Sequence, residues 1–221
     1  MGGHAHSGGV EQAICVGVVT DAATLADFLE RRLQTAGPIA AALAAAACHA
    51  VAGNTVGNSE PGYDPADGAA AMADRLGDLD TEAEARTPSP ALRTASRSLG
   101  RGLTRLGKRA WPHPAWADLS AAPHHPIAIG VAAAASGVKP IGAAHVAAYL
   151  TISGPATAAQ RLLSLDPLTV AMITAQLSAR VDAVAARAAA DPSGPLSAVS
   201  DPWFDLLAET HASRGDRLFA S

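Results

Sequence analysis

The sequence predicts an all-α fold, a single-domain multi-helix bundle. Three observations carry this. Alanine and leucine dominate, with 49% hydrophobic but only 4% aromatic residues, a composition that suits helices better than sheets. Runs of β-branched residues are too short for strands. A chain of 221 residues fits one domain, so residues 1–221 are taken as a single unit.

The elements follow in order. Ser7 or Gly8 caps a short first helix, Glu11 stands in its first turn, and Gly17 ends it. Thr20 or Asp21 opens a second, whose Leu25, Phe28, Leu29 and Leu33 form a core-facing stripe. Gly37-Pro38 is expected to break it before a third, nearly all-alanine helix from Ile39 to Ala52. The Gly- and Pro-rich stretch 53–68 reads as a mobile loop, and an acidic helix runs from about Ala69 to Glu84.

The segment Pro90–Ala110 is the most patterned. Ser89 caps it and Pro90 suits its first turn. Leu92, Leu99, Leu103 and Leu106 share one side, and Arg93, Arg97, Arg101, Arg105 and Arg109 lie nearly opposite. The expectation is a leucine stripe turned inward and an arginine ridge turned outward. Close approach of a neighbouring helix is the expected reason for Gly100, Gly102 and Gly107.

Trp111–Trp116 and Pro123–Pro126 read as rigid turns, the histidines of the second in capping or core roles. Apolar helices follow over Ile127–Gly137 and Ala143–Leu163, the latter with a kink site at Gly154-Pro155 and Arg161 expected to pair with a carboxylate. One helix is expected from Asp166 to Asp191. A last one starts at Ser200-Asp201-Pro202, followed by an apolar tail over 212–221.

Composition bounds the function. Cys15 and Cys48 form no CxxC pair, and no segment has the parts of a secretory signal, so a reducing cytoplasm is the default. The uncharged stretches 38–59 and 141–160 are too Ala-rich and polar for confident membrane spans. No nucleotide loop, GxSxG or HExxH is present, and no carboxylate pair sits in apolar context, so neither an enzyme nor a bound cofactor is indicated. His4 and His6 are the only weak metal candidates. The arginine ridge would suit phosphate or nucleic acid. A net charge of −4 and the acids from Asp64 to Glu84 favour a solvated or protein-facing surface, with no nucleic acid and no membrane as partners.

Four segments together resemble one family, UreF. The first is His6-Ser7-Gly8-Gly9-Val10-Glu11, similar to H/Y-S-x-G-L/I-E. The second is Leu92 to Arg101, similar to L-R-x-A-S-x-x-M/L-G-R and including Ala95, Ser96 and Gly100. The third is Gly130 to Leu162 with its Ala159-Gln160-Arg161-Leu162 element, and the fourth runs from Asp201 through His211 to Arg217-Leu218-Phe219-Ala220-Ser221. The chain departs from the pattern at Ala91, where relatives place Glu, and at Ser164-Leu165-Asp166-Pro167, where relatives carry P-L-G-Q.

The resemblance implies an all-α, non-enzymatic homodimer that joins the accessory protein UreD (UreH) and the GTPase UreG to deliver nickel to apo-urease. It would scaffold that complex and regulate the GTPase, with GTP bound by UreG. Partner contacts are expected at Arg93, Arg97, Arg101, Arg217, Leu218 and Phe219. Two other classes stay open: a helical phosphate or nucleic-acid binder using the ridge from Arg93 to Arg109, and a histidine-based nickel-binding protein. The family's lead-in ending in P-x-G is missing, which suggests a truncated start. A free Gly2-Gly3-His4 would instead suit square-planar Ni(II) or Cu(II).

Overall fold

The computed structural model describes residues 6–57 and 64–219, all-α as expected. The helices are α1 (Val10–Cys15), α2 (Ala22–Gly57), α3 (Pro65–Ala85), α4 (Pro90–Ala110), α5 (His125–Ala135), α6 (Pro140–Leu162), α7 (Pro167–Gln176), α8 (Ser178–Ala190) and α9 (Pro202–Ala212). A 3₁₀ turn covers Pro114–Trp116. Many of the starts are written as short polar-proline pairs. Asp64, Ser89, Asp166 and Asp201 each precede a proline, and each side chain accepts a backbone N–H of the first turn. Asp21 caps α2 in the same way through Thr24 N, at 2.9 Å.

α2 is the axis. Its N-terminal half packs with α1, α6, α7, α8 and α9 around Leu25, Leu29, Leu33, Ile152 and Val184. Its C-terminal half packs with α3, α5 and the 3₁₀ turn around Leu43, Leu76, Leu79, Ile127 and Trp116. Between them Ala44, Cys48, Ile129, Ala143 and Ala147 join α2, α5 and α6. A side chain at Gly130 of α5 would stand 2.5 Å from the Ala44 carbonyl, so the two helices meet backbone to backbone.

Three expectations change here. Gly37-Pro38 does not break the chain, and α2 is one helix with Pro38 inside it. Burial on both sides, at Leu33, Gly37, Ala41 and Leu43, holds it through a position that costs about 3 kcal/mol in an isolated helix. α2 extends to Gly57 and α3 begins at Pro65, so only residues 58–64 of the expected loop fall between them, and of these 58–63 lie outside the described residues. The expected single helix after Asp166 is two, α7 and α8, bent by 42° around Leu177. The bend keeps Val170, Ile173, Val181 and Val184 all in the core.

α6 likewise continues through Pro155. That proline removes the N–H that would bond the Thr151 carbonyl. Arg32 of α2 supplies a substitute, its Nε donating to Thr151 O at 2.9 Å. α2 is also long and apolar enough to cross a membrane over Ala22–Gly53, but half of an apolar 18-residue stretch within it is buried inside the protein.

The close approach at Gly130 is testable. Gly130→Ala should lower stability by about 2–3 kcal/mol, whereas Gly77→Ala on α3, where an added methyl meets nothing within 4 Å, should raise it by up to about 1 kcal/mol. Thermal melts followed by circular dichroism read both.

Candidate functional site

The first and last motif segments meet in space. Gly8 and Gly9 adopt left-handed backbone angles, φ 57° and 88°, in the turn before α1. That turn delivers Glu11 to a position only 3% exposed. One carboxylate oxygen accepts the Leu218 N–H at 2.7 Å. The other meets His211 Nε2 at 2.8 Å and the Phe219 N–H at 3.0 Å. Burial pushes the Glu11 pKa up. The Leu218 N–H, the His211 ring and the Phe219 N–H outweigh it and hold the carboxyl below its ordinary range. Phe219 packs on the core, whereas Leu218 stands 78% exposed and Arg217 reaches back to the Ala212 carbonyl.

The second motif segment lies on α4 and faces inward. Ser96 Oγ accepts the His125 N–H at 3.0 Å and meets His124 Nδ1 at 3.0 Å. The buried His124 ring contacts Glu84 through Nε2 at 2.8 Å, and the His124 backbone N–H donates to Asp80 at 2.7 Å. Arg97 pairs with Glu84 at 2.6 Å and Asp80 at 3.1 Å, and also donates to the Ala122 carbonyl. Arg93 pairs with Glu84 at 2.9 Å. The hydrogen bonds of His124 and Arg97 hold the Glu84 carboxyl below its ordinary pKa.

This corrects the expected orientation of α4. Its inward face is Ser96, Gly100, Thr104 and Gly107, flanked by Arg93 and Arg97. A side chain at Gly100 would lie 1.9 Å from the Pro123 carbonyl, and one at Gly107 2.3 Å from the Trp116 ring. Only small residues let the 3₁₀ turn and the start of α5 come so near. Gly102, by contrast, has open space. The outward ridge is therefore reduced to Arg101, Arg105 and Arg109, with Lys108, and none of them has an ion pair among the described residues. Of the leucines only Leu103 packs against the core, and it is only partly buried there. Leu92, Leu99, Leu103 and Leu106 line a groove of about 600 Å³ between α4 and α6, and Leu106 is 52% exposed.

His6, Gly8, Arg32, Ala95 and His125 also line that groove. Burial first, and then the neighbouring His6, push His125 down to about 4. Burial also pushes Arg32 down to about 10, and no carboxylate lies within ion-pair distance of it among the described residues. Its guanidinium sits 5.4 Å from the Phe204 ring centroid.

Arg161 is exposed, without the expected carboxylate among the described residues. His4 lies outside the described residues, and no group of three or more His, Cys, Asp or Glu among them is placed to hold a metal ion. Sequence reasoning counted Asp80 and Glu84 among the acids that balance the arginines without pairing them, and it missed Arg32. The first two had a signal, since four-residue spacing on α3 matches Arg93 and Arg97 on α4. Arg32 had none.

The family model that matches the chain is UreF, over residues 19–178. The chain is 46% identical to the urease accessory protein UreF of Mycolicibacterium vanbaalenii over 220 residues, covering all of this chain and 92% of that protein. The same protein of Mycobacterium sp. strain JLS is also 46% identical, over 221 residues with the same coverage. That of Mycobacterium tuberculosis strain H37Rv is 43% identical over 220 residues, again covering all of this chain and 92% of the relative.

The two arginine classes should separate on charge reversal. Arg97→Glu places a third acid beside Asp80 and Glu84 and should cost about 2–4 kcal/mol of stability, whereas Arg101→Glu should change it by less than about 0.5 kcal/mol. Equal melting temperatures would show that Arg97 does not hold α4 to α3.

Acid stability carries a second test. His125 binds its proton less readily folded than unfolded, so its contribution to stability falls as pH drops from about 6.5 towards 4. Glu11 is shifted down, so its contribution is present above about 4.5 and lost only at lower pH. His125→Gln should flatten the melting temperature between pH 6.5 and 4.5 and leave the steeper loss below it. Unchanged slopes in that window would assign it to other groups.

Proposed function

The chain belongs to the UreF family of urease accessory proteins, which are not enzymes, and on that premise we propose that it serves nickel delivery to apo-urease. In this reading it joins UreD (UreH) and UreG into one complex and regulates the GTPase of UreG, with GTP held by UreG. It acts as a homodimer in the cytoplasm, and nickel is cargo rather than a resident cofactor.

The observation that carries the reading is the junction at Glu11. Two motif segments about 200 residues apart join through one buried carboxylate, and that junction supports the view that they act as one device. It fixes the backbone of the tail and leaves the Leu218 side chain outside, where UreD is proposed to meet it together with Arg217. Phe219 then acts as the anchor on this chain's own core, and Arg101 is proposed as a further partner contact. Exposed apolar residues on α6 and α7, among them Val146, Tyr149, Leu168 and Met172, offer surface for the second copy.

The nucleic-acid reading loses support because Asp80 and Glu84 neutralise Arg93 and Arg97. The histidine reading lacks a third ligand among the described residues.

Co-expression with the urease structural and accessory genes tests the proposal. Removing this chain should leave urease nickel-poor, with activity down by at least about tenfold. Deleting 217–221 should reduce co-purification with UreD while the helical signal is kept. Full retention of UreD by the truncated chain would move its contact elsewhere.

A further inference from the structure

We propose that the groove between α4 and α6 receives an amphipathic helix of a partner protein whose apolar stripe carries carboxylates along its edge. The inference rests on the reading above only in that the chain works by binding other proteins.

The apolar half of the complement is on the page. Leu99, Leu103 and Leu106 of α4 face the groove from one side, and Ala147 and Leu150 of α6 from the other. Leu106 and Leu150 are 52% and 41% exposed. The α4 leucines occupy the side that an inward-facing stripe would have used, yet among the described residues only Leu103 packs against the core, and Leu106 stays open. Gly102 lines the same wall, and a side chain there would meet nothing within 4 Å. Glycine weakens a helix, and here the loss brings no internal contact in return. It leaves room for another backbone to come close.

The charge half is equally one-sided. Neither α4 nor α6 contains an acidic residue. Arg109, Arg105 and Arg101 stand about 20°, 60° and 100° from Gly102 on the solvent side of the helical wheel. Within the groove, Arg32 spends only Nε, on Thr151 O, and lies over Phe204, with no carboxylate near it among the described residues. Asp201 and Asp205 line the far end, but Asp201 pairs with Arg31 and Asp205 accepts the Ser89 N–H. An entering carboxylate finds donors at the floor and on one rim.

Other occupants fit less well. His6 lines the groove, and the five residues given before it contain no acid, so a crosslink to any N-terminal segment of this chain counts against a partner helix. A second copy offers no matching helix either. Leu168 and Met172 on α7 have no acid within that helix, and Asp205 and Glu209 beside Leu206 are held by Ser89 and Ala91.

The test places p-benzoylphenylalanine at Gly102 of the full chain, co-expressed with the urease structural and accessory genes, and maps the photo-crosslink by mass spectrometry. The expected product is a partner peptide with apolar residues at helical spacing and carboxylates beside them. Leu106→Glu and Gly102→Trp should each lower urease activation by about tenfold, with melting temperatures within about 2 °C of the parent. A crosslink to any N-terminal segment of this chain, to a second copy, or to a segment without carboxylates overturns the proposal. So does unchanged urease activation in both variants. If urease is activated even without this chain, the proposed function falls instead, and the crosslink then judges the groove alone.

Discussion

A helix enclosed by its neighbours has to be narrow, and the rest of the architecture follows from that constraint on α2. Its middle is built from alanines, and α5 answers with Gly130 and α6 with Ala143, Ala144 and Ala147. Such a core has little volume per residue. Three large aromatic side chains, Phe28, Trp203 and Phe204, gather near the N-terminal end of α2 with mutually edge-on rings, and Trp116 fills the cluster around its C-terminal half. With so little apolar bulk, orientation is set by polar contacts. Helix starts are fixed by caps, α3 and α4 by Glu84 and Asp80, and the two chain ends by Glu11.

The same constraint explains which parts of the fold were legible. Caps are local chemistry, so Ser89-Pro90 gave the bounds of α4 and Asp166-Pro167 the start of α7. Glycine and proline are also local signals, but they report a helix's own preferences, and burial overrules them at Pro38 and Pro155. The orientation of α4 failed for a related reason. A helical wheel weights leucine over glycine and so points to the bulkiest apolar side. Where neighbours approach to backbone contact, the inward side is the one with the smallest residues. Gly100, Thr104 and Gly107 mark it, and the leucines are left to a groove.

Site residues divide along a similar line. Glu11 and His211 were both visible as motif members, yet nothing in the spacing announces that two residues 200 positions apart share a hydrogen bond. Ser96 was visible too, and His124 and His125 read as capping or core residues, but nothing in the sequence paired them with Ser96. Arg32 was hidden altogether, because its task arises from a carbonyl that Pro155 leaves unbonded, a need that exists only once α6 lies beside α2.

This arrangement separates holding from meeting. Glu11, Ser96, Arg97 and Gly100 are turned inward, and each fixes a piece of backbone: the tail, the turn at Pro123–His125, or the seam between α3 and α4. The side chains left outside by that work are their sequence neighbours, Leu218 beside Phe219, Arg101 beside Gly100, and Leu99 and Leu106 on the open side of the same helix. A protein that acts without chemistry of its own must act through such residues. A substitution at an inward position therefore reaches a partner by releasing the segment it holds, and its effect should track loss of stability. A substitution at an outward neighbour should affect assembly with the fold unchanged. Position along a motif does not distinguish the two, whereas the direction of the side chain does.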